Sequence, residues 1–375
     1  MENKYYSYPE IVNWGNPTVD ALDFQSGVVS LAKQKKWVAP YYNLEQMMHT
    51  ITGERMMIAA ELEKKYTDIR DQELKEFWGA KGLEYTVHTT QGEDWLSFVP
   101  KSALEGKEKL PVMCAFRAAC VFAQSFYYDL ALIAAQGEMI LLIFSTEDKD
   151  ENELWLDILG EAKSIYPIDE TRVYLTGHSH YGEFALEFMR RHHEIIAAVA
   201  QQGDRAGLAP YFTDDAGMEK MHTFDCPVNI VTGMAEVSQH FPLNTQAPAY
   251  DAWDEGRKKR MPGTLEERIT SWQRRLYGSR CENVTAEQMI AVRTSRNKAE
   301  RSLGFPCDKA KTLWMDGVEL YVGDFKNVDG RYHLQVVAIE NLSHTTCKPM
   351  HLMSWTFVRR FARDLENDKV IELYE

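Results

Sequence analysis

The sequence predicts an α/β protein, a mainly parallel β-sheet with helices packed on both faces. Short, continuously apolar segments of strand length recur from residue 110 onward. Helical segments alternate with them, and that alternation buries a parallel sheet on both sides. The stretch "RVYLTGHSHYGEFA", residues 172 to 185, adds a strand, a Gly-His-Ser turn and a helix in immediate succession.

The elements follow in chain order. Residues 1–82 start polar and aromatic and then become helical: in "MIAAELEKKYTDIRDQELKEFW", Ile58, Leu62, Tyr66 and Ile69 recur at helical spacing, with Gly79 as the stop. This N-terminal extension is expected to form an accessory helical layer. From residue 83 the pattern changes to period two. "LEYTVHT" and "WLSFVP" read as a strand pair turning at Gly92. Then come "PVMCAF", a helix over 121–136, "MILLIF", a helix over 151–164, "RVYLT", a helix over 181–192, "IIAAVAQ" and "PVNIVT". Alternation lapses over 237–316, where "TLEE" (264–267) and "TAEQ" (285–288) are capping boxes, so this insertion is expected to be helical and to cap one end of the sheet. "VELYV" and "YHLQVVAI" are late strands joined by an "NVDG" turn, and "MHLMSWTFVRRFARDL" reads as a closing amphipathic helix. The catalytic domain is thus expected to span 83–375.

Composition narrows the function. The 375 residues are 45% hydrophobic and 26% charged, a globular balance with enough chain for a large core. A formal net charge of −14 argues against nucleic-acid binding, since "RKKR" at 257–260 is the lone basic cluster. The longest apolar runs are too short to cross a bilayer, so no membrane insertion is expected. The first residues carry neither a basic lead nor an apolar stretch, which makes a cytoplasmic location the default expectation; a mature secreted protein would read the same. The six cysteines form no metal or disulfide pattern. His178 and His180 flank Ser179, but no downstream carboxylate-histidine motif completes a metal site, so no metal and no organic cofactor is expected.

Ser179 is the candidate nucleophile. A serine hydroxyl is a weak nucleophile and needs a histidine to take its proton, with an acid to orient that histidine. Downstream, Glu236 follows "VNIVTGMA" and His344 follows "LQVVAIENLS". Both stand at the carboxyl ends of expected strands, where parallel sheets carry their functional loops. The assigned roles are Ser179 nucleophile, His344 general base then acid, and Glu236 orienting carboxylate. Asp204 after "AAVAQQG" is the alternative acid, with Asp214 and Asp215 behind it, and His351 competes with His344. Tyr181 departs from G-x-S-x-G, the turn's usual signature, and Gly182 comes one step later.

At these residues the chain resembles the α/β-hydrolase superfamily, in particular serine esterases of the carbohydrate-esterase and polyhydroxybutyrate-depolymerase-like group. The likeness runs from "LEYTVHT" to the carboxyl end. "RVYLTGHSHYG" is similar to the nucleophile elbow, "PVNIVTGMAE" to the acid-bearing strand and loop, and "NLSH" with "SWTFVRRF" to the histidine and closing helix. The resemblance implies an oxyanion hole with one N–H from His180 and a second from Arg117 or Ala118, in "FRAAC", where relatives carry a His-Gly-rich stretch.

The function expected is serine-dependent hydrolysis of a carboxylic ester through an acyl-enzyme, on a small-molecule or carbohydrate-linked ester such as an acetyl, feruloyl or hydroxyacyl ester. Tyr181, Tyr211 and Phe212 are candidate pocket residues. A serine peptidase of the same fold, or a noncatalytic binding protein that retains these residues, are the alternatives. Composition leaves a homo-oligomer open.

Overall fold

The computed structural model describes residues 75–76, 78–106, 108–117, 127–145, 152–203, 225–234, 241–247, 250–253, 255–315, 318–340, 342 and 346–374. The accessory layer expected over residues 1–82 lies outside these up to residue 74. Its last residues are helical through Ala80, and the segment ends at Gly82 (φ +86°), not at Gly79. Gly82 leads into a hairpin, β1 (Leu83–Thr90) and β2 (Glu93–Pro100), paired antiparallel. Its two turn residues, Gln91 and Gly92, both have positive φ (55° and 92°), the twist that a two-residue hairpin loop needs.

After a short helix α1 (Lys101–Glu105), strands and helices alternate as the sequence predicts. They are β3 (Leu110–Arg117), α2 (Tyr128–Ala135), β4 (Ile140–Ser145), α3 (Asn152–Ile165), β5 (Ile168–His178), α4 (His180–Arg191), β6 (Ala198–Gln202) and β7 (Val228–Gly233). The insertion supplies α5 (Glu255–Arg260), α6 (Leu265–Gly278), α7 (Ala286–Ala291) and α8 (Lys298–Leu303). Thr264 and Thr285 form the capping boxes with Glu267 and Gln288. The remainder is β8 (Lys309–Met315), β9 (Val318–Lys326), β10 (Tyr332–Ile339), α9 (Lys348–Val358), β11 (Phe361–Asp364) and β12 (Lys369–Glu372).

Ten strands form one sheet in the order β1-β2-β4-β3-β5-β6-β7-β10-β9-β8. The run from β4 to β10 is parallel throughout, and the hairpin at one edge and β9 and β8 at the other are antiparallel. The continuous apolar runs are explained by side chains alternating between two cores. Val112, Cys114 and Phe116 of β3 face one layer with α3, α4 and the insertion helices, while Met113 and Ala115 face the other with α2 and α9. Ile140, Leu142 and Phe144 of β4 divide from Leu141 and Ile143 in the same way.

Two elements differ from the sequence reading. Residues 309–315, inside the span read as helical insertion, form the edge strand β8, whose half-exposed "KAKTLWM" has little apolar signal. The closing helix stops at Val358, and Phe361–Asp364 turns into a hairpin instead. Arg363 explains the switch: fully buried, its Nε donates to the Ile196 carbonyl (2.9 Å) and its Nη2 to the Asp225 carbonyl (2.9 Å), bonds that tie this segment under the sheet.

Candidate active site

The parallel strands end side by side, and their ends are stitched by backbone hydrogen bonds. Ser179 N–H donates to the Gln202 carbonyl (2.8 Å), Gly203 N–H to that of Val231 (2.8 Å), and Met234 N–H to that of Ile339 (2.9 Å). One bond after another thus links the ends of β5, β6, β7 and β10.

Ser179 stands between β5 and α4 with φ 61° and ψ −128°, a conformation that L-residues rarely adopt. Such strain persists only where the surroundings over-determine it, and they do so here. Phe116 of β3, Trp155 of α3 and Phe188 of α4 interlock, with centroids 4.7 Å (Phe116–Trp155) and 5.7 Å (Trp155–Phe188) apart. This cluster holds α4 down on the sheet directly after the serine.

The glycine requirement of the turn falls at 177 and 182. A Cβ on Gly177 would lie 2.1 Å from the Tyr181 carbonyl oxygen, and one on Gly182 would lie 2.8 Å from Gln201 Cγ and 2.9 Å from the Gly177 carbonyl oxygen. The backbone of residue 181 is what approaches Gly177, so a tyrosine side chain there obstructs nothing. A positively dihedralled serine at a strand-helix crossing, on a parallel sheet in this strand order, is decisive.

This is an α/β-hydrolase fold.

No protein-family model matches the chain, and no curated protein matches it. Among solved structures it is similar to a thermostable esterase, at 15% identity and a TM-score of 0.32, over 41% of this chain and 47% of that one. It is also similar to the feruloyl esterase module from Clostridium thermocellum, at 10% identity and TM-score 0.36 over 42% of this chain and 69% of the module. An S-formylglutathione hydrolase from Agrobacterium tumefaciens aligns at 13% identity and TM-score 0.33, over 40% of this chain and 75% of that one. The chain spans less than half the length of the first of these.

Within this α/β-hydrolase fold the residues singled out by sequence have distinct settings. His180 is the first residue of α4, where helix N–H groups have no intrahelical acceptor. Its ring turns outward, with Nδ1 2.7 Å from Glu183 Oε2 and the ring edge-on to Phe184 at 4.7 Å. His178 turns inward. It is buried against Gly203 (φ +55°), where a Cβ would lie 2.4 Å from its Nε2. The two histidines that flank Ser179 therefore serve different neighbours. Among the described residues no group of three or more histidine, cysteine or acidic side chains could hold a metal ion.

Arg117 ends β3 and is buried, and its guanidinium lies 5.1 Å from the centroid of the Tyr181 ring. Burial lowers the pKa of its guanidinium, against the opposing influence of Tyr127 and Tyr181. Arg117 and Tyr181, at each of which the sequence departs from the expected esterase motifs, are thus in contact with each other. A cation over an aromatic face in a desolvated setting is worth about 2 kcal/mol.

His351 is fully buried in α9, its Nδ1 3.8 Å from Asp129 Oδ2 on α2. Burial pushes its imidazole down to about 3, and this enclosure separates it from any substrate arriving from solvent. Ala118, Asp204, Tyr211, Phe212, Glu236 and His344 lie outside the described residues, as do Asp214 and Asp215. Described residues do lie two positions before Glu236 and two before His344, at Met234 and Leu342. A Cβ on Gly233 would lie 2.0 Å from the Leu342 carbonyl oxygen, so the chain that leads to His344 crosses the end of the strand that leads to Glu236.

Tyr127 is a residue that sequence reasoning missed. Fully buried, its hydroxyl donates to the Phe116 carbonyl (2.7 Å) and accepts from the His178 N–H (3.2 Å). It belongs to no motif, and in the sequence it is one more aromatic in an expected helix.

Proposed function

We propose that the chain is a serine-dependent carboxylic-ester hydrolase with Ser179 as nucleophile, His344 as general base and then acid, and Glu236 as the carboxylate that orients His344. The observation that carries this reading is the strained Ser179 at the β5–α4 crossing, with Gly177 and Gly182 giving the clearance the turn needs. The contact between Gly233 and Leu342 supports the other two roles, because it starts both loops from one corner of the sheet.

In this mechanism Ser179 Oγ attacks the ester carbonyl and its proton passes to His344. The carbonyl oxygen, now an alkoxide, is held by the N–H of His180 and a second N–H from Arg117 or Ala118. Each well-placed donor of this kind is worth about 3 kcal/mol. His344 returns the proton to the departing alcohol, leaving Ser179 acylated. Water then gives a proton to His344 and attacks the acyl carbon; as the acid departs, His344 passes that proton to Ser179 Oγ and the free enzyme is restored.

A fluorophosphonate probe tests the reading. The wild-type chain is expected to label at one serine, and Ser179→Ala to abolish the label while folding normally. A folded wild-type protein without Ser179-dependent label overturns the reading in favour of a noncatalytic binding protein. Turnover of acetyl, feruloyl, hydroxyacyl and peptide substrates then sets the class, with a peptide-only profile assigning a peptidase. Comparison of Glu236→Gln with Asp204→Asn identifies the acid, and an unchanged rate in Glu236→Gln removes it from that role.

A further inference from the structure

We infer that Tyr127 is a positioning residue that aligns the end of β3, with the proposed oxyanion donor Arg117, to the nucleophile through one hydroxyl; this rests on the serine-esterase reading of the site. β3 and β5 are parallel neighbours, in register up to Phe116 beside Gly177. Immediately beyond that pair the phenol of Tyr127 bridges the Phe116 carbonyl and the His178 N–H. Arg117, one of the two residues assigned the second oxyanion donor, follows Phe116 directly, and Ser179 follows His178 directly.

The bridge has a second property. Tyr127 comes eleven positions after Phe116 in the chain, so the side chain that reaches back to the end of β3 is the same one that grips the elbow. A glycine-rich oxyanion loop can fold back by backbone freedom alone. "FRAAC" lacks that freedom, and a buried phenol between two backbone groups supplies the fixed relation in its place. Oxyanion stabilisation requires the donors to be held where the alkoxide will form, to within a few tenths of an ångström, before the reaction begins.

The surroundings fit a fixed strut. The ring is fully buried, with its centroid 6.1 Å from that of His351, and burial pushes its phenol pKa up, so the hydroxyl keeps its proton as donor to Phe116. An uncharged hydroxyl that donates once and accepts once is fully used by these two partners.

The test compares Tyr127→Phe with Tyr174→Phe. Tyr174 is likewise buried and donates to a backbone carbonyl, that of Phe361 (2.7 Å), but it ties β5 to the terminal hairpin. Tyr127→Phe loses two buried phenol bonds to the backbone and Tyr174→Phe loses one, so both are expected to lower Tm. The readout is phosphonylation of Ser179, resolved into its maximal rate and its half-saturating probe concentration. Tyr127→Phe is expected to lower the maximal rate 10- to 100-fold, with half-saturation within two-fold of wild type, while Tyr174→Phe labels at the wild-type rate. Equal maximal rates in the two variants overturn the inference and leave Tyr127 a structural residue. A folded wild-type chain that does not label overturns the esterase reading and the positioning role with it. If Tyr127→Phe does not fold, 3-fluorotyrosine at 127, a weaker acceptor for the His178 N–H, is compared with 3-fluorotyrosine at 174. A change of two-fold or more confined to position 127 supports the inference, and equal rates reject it.

Discussion

Gly177→Ala is the most direct perturbation of the elbow. A Cβ at 177 would meet the Tyr181 carbonyl oxygen at 2.1 Å, its carbonyl carbon at 2.3 Å and the Gly182 nitrogen at 2.6 Å. Ordinary carbon contacts are about 3.5 Å, so strand and helix must separate by roughly 1 Å. All three atoms are backbone in the first turn of α4, and no rotamer change relieves them. The helix is itself held by Phe188 and Phe184 against Trp155, with Phe188–Trp155 centroids 5.7 Å apart. Overpacking with no soft partner belongs at the upper end of its usual range, about 3 kcal/mol. For a chain this long, about 2 °C per kcal/mol gives a fall in Tm of about 6 °C. A 1 Å displacement of a reacting group costs about 100-fold in rate, so Ser179 phosphonylation should slow by about that factor. Gly182→Ala should have a smaller effect, because one of its close contacts is the Gln201 side chain, at 2.8 Å. Gly160→Ala is the control. It lies in α3 with nothing within 4 Å of its added Cβ, and should raise stability by about 0.5–1 kcal/mol. Scanning calorimetry and labelling kinetics measure both effects. A Gly177→Ala protein with Tm within 1 °C and labelling within two-fold of wild type would refute the clearance argument.

Three further outcomes are expected. Burial alone would raise the Asp225 carboxyl pKa, but the His333 hydrogen bond (2.8 Å) and the charges of His333, Arg331 and Arg280 outweigh it and hold the pKa below the usual carboxylate range. Its folded pKa is depressed, so its contribution is full above about pH 4 and is lost as pH falls through the folded value. Asp225→Asn should therefore cost about 3 kcal/mol at pH 7 and progressively less as pH falls below about 4, as read from urea denaturation at each pH. Thr264→Ala removes the side-chain acceptor for the Glu267 N–H at the start of α6 and should cost about 1 kcal/mol by the same assay. Trp155→Ala empties the centre of the aromatic cluster under α4 and should cost about 4 kcal/mol; a loss below 1 kcal/mol would show that the cluster does not hold the helix.

The strand-helix alternation from residue 110 could be read from the chain because β3 to β7 are buried on both faces, and burial of that kind writes itself as an unbroken apolar run. "VELYV" and "YHLQVVAI" were readable from their β-branched and aromatic residues despite the polar ones between them. β8 was hidden because an edge strand is solvated on one side, and "KAKTLWM" shows no clean period. The end of α9 was hidden because Arg363, a charged residue on a helical pattern, finds its acceptors at Ile196 and Asp225, far away in sequence.

At the candidate site, the order Ser179, Glu236, His344 came from the sequence, since each follows an apolar strand and strand ends collect function. What the chain alone determined about this protein was thus the succession of its elements and the positions at which polar residues interrupt them, both governed by local pattern. Tertiary structure alone decided how the segments that carry Arg117, Tyr127 and Tyr181 meet. Tyr181 looked like an obstruction until the close approach was seen to be its backbone against Gly177. Arg117 and Tyr181, 64 positions apart in the numbering, share a contact, and Tyr127 bridges β3 to β5 with a single hydroxyl. Such relations depend on distances between segments brought together only by the shared core, and hydrogen-bond partners or steric clearances leave no periodic trace in the residues that supply them.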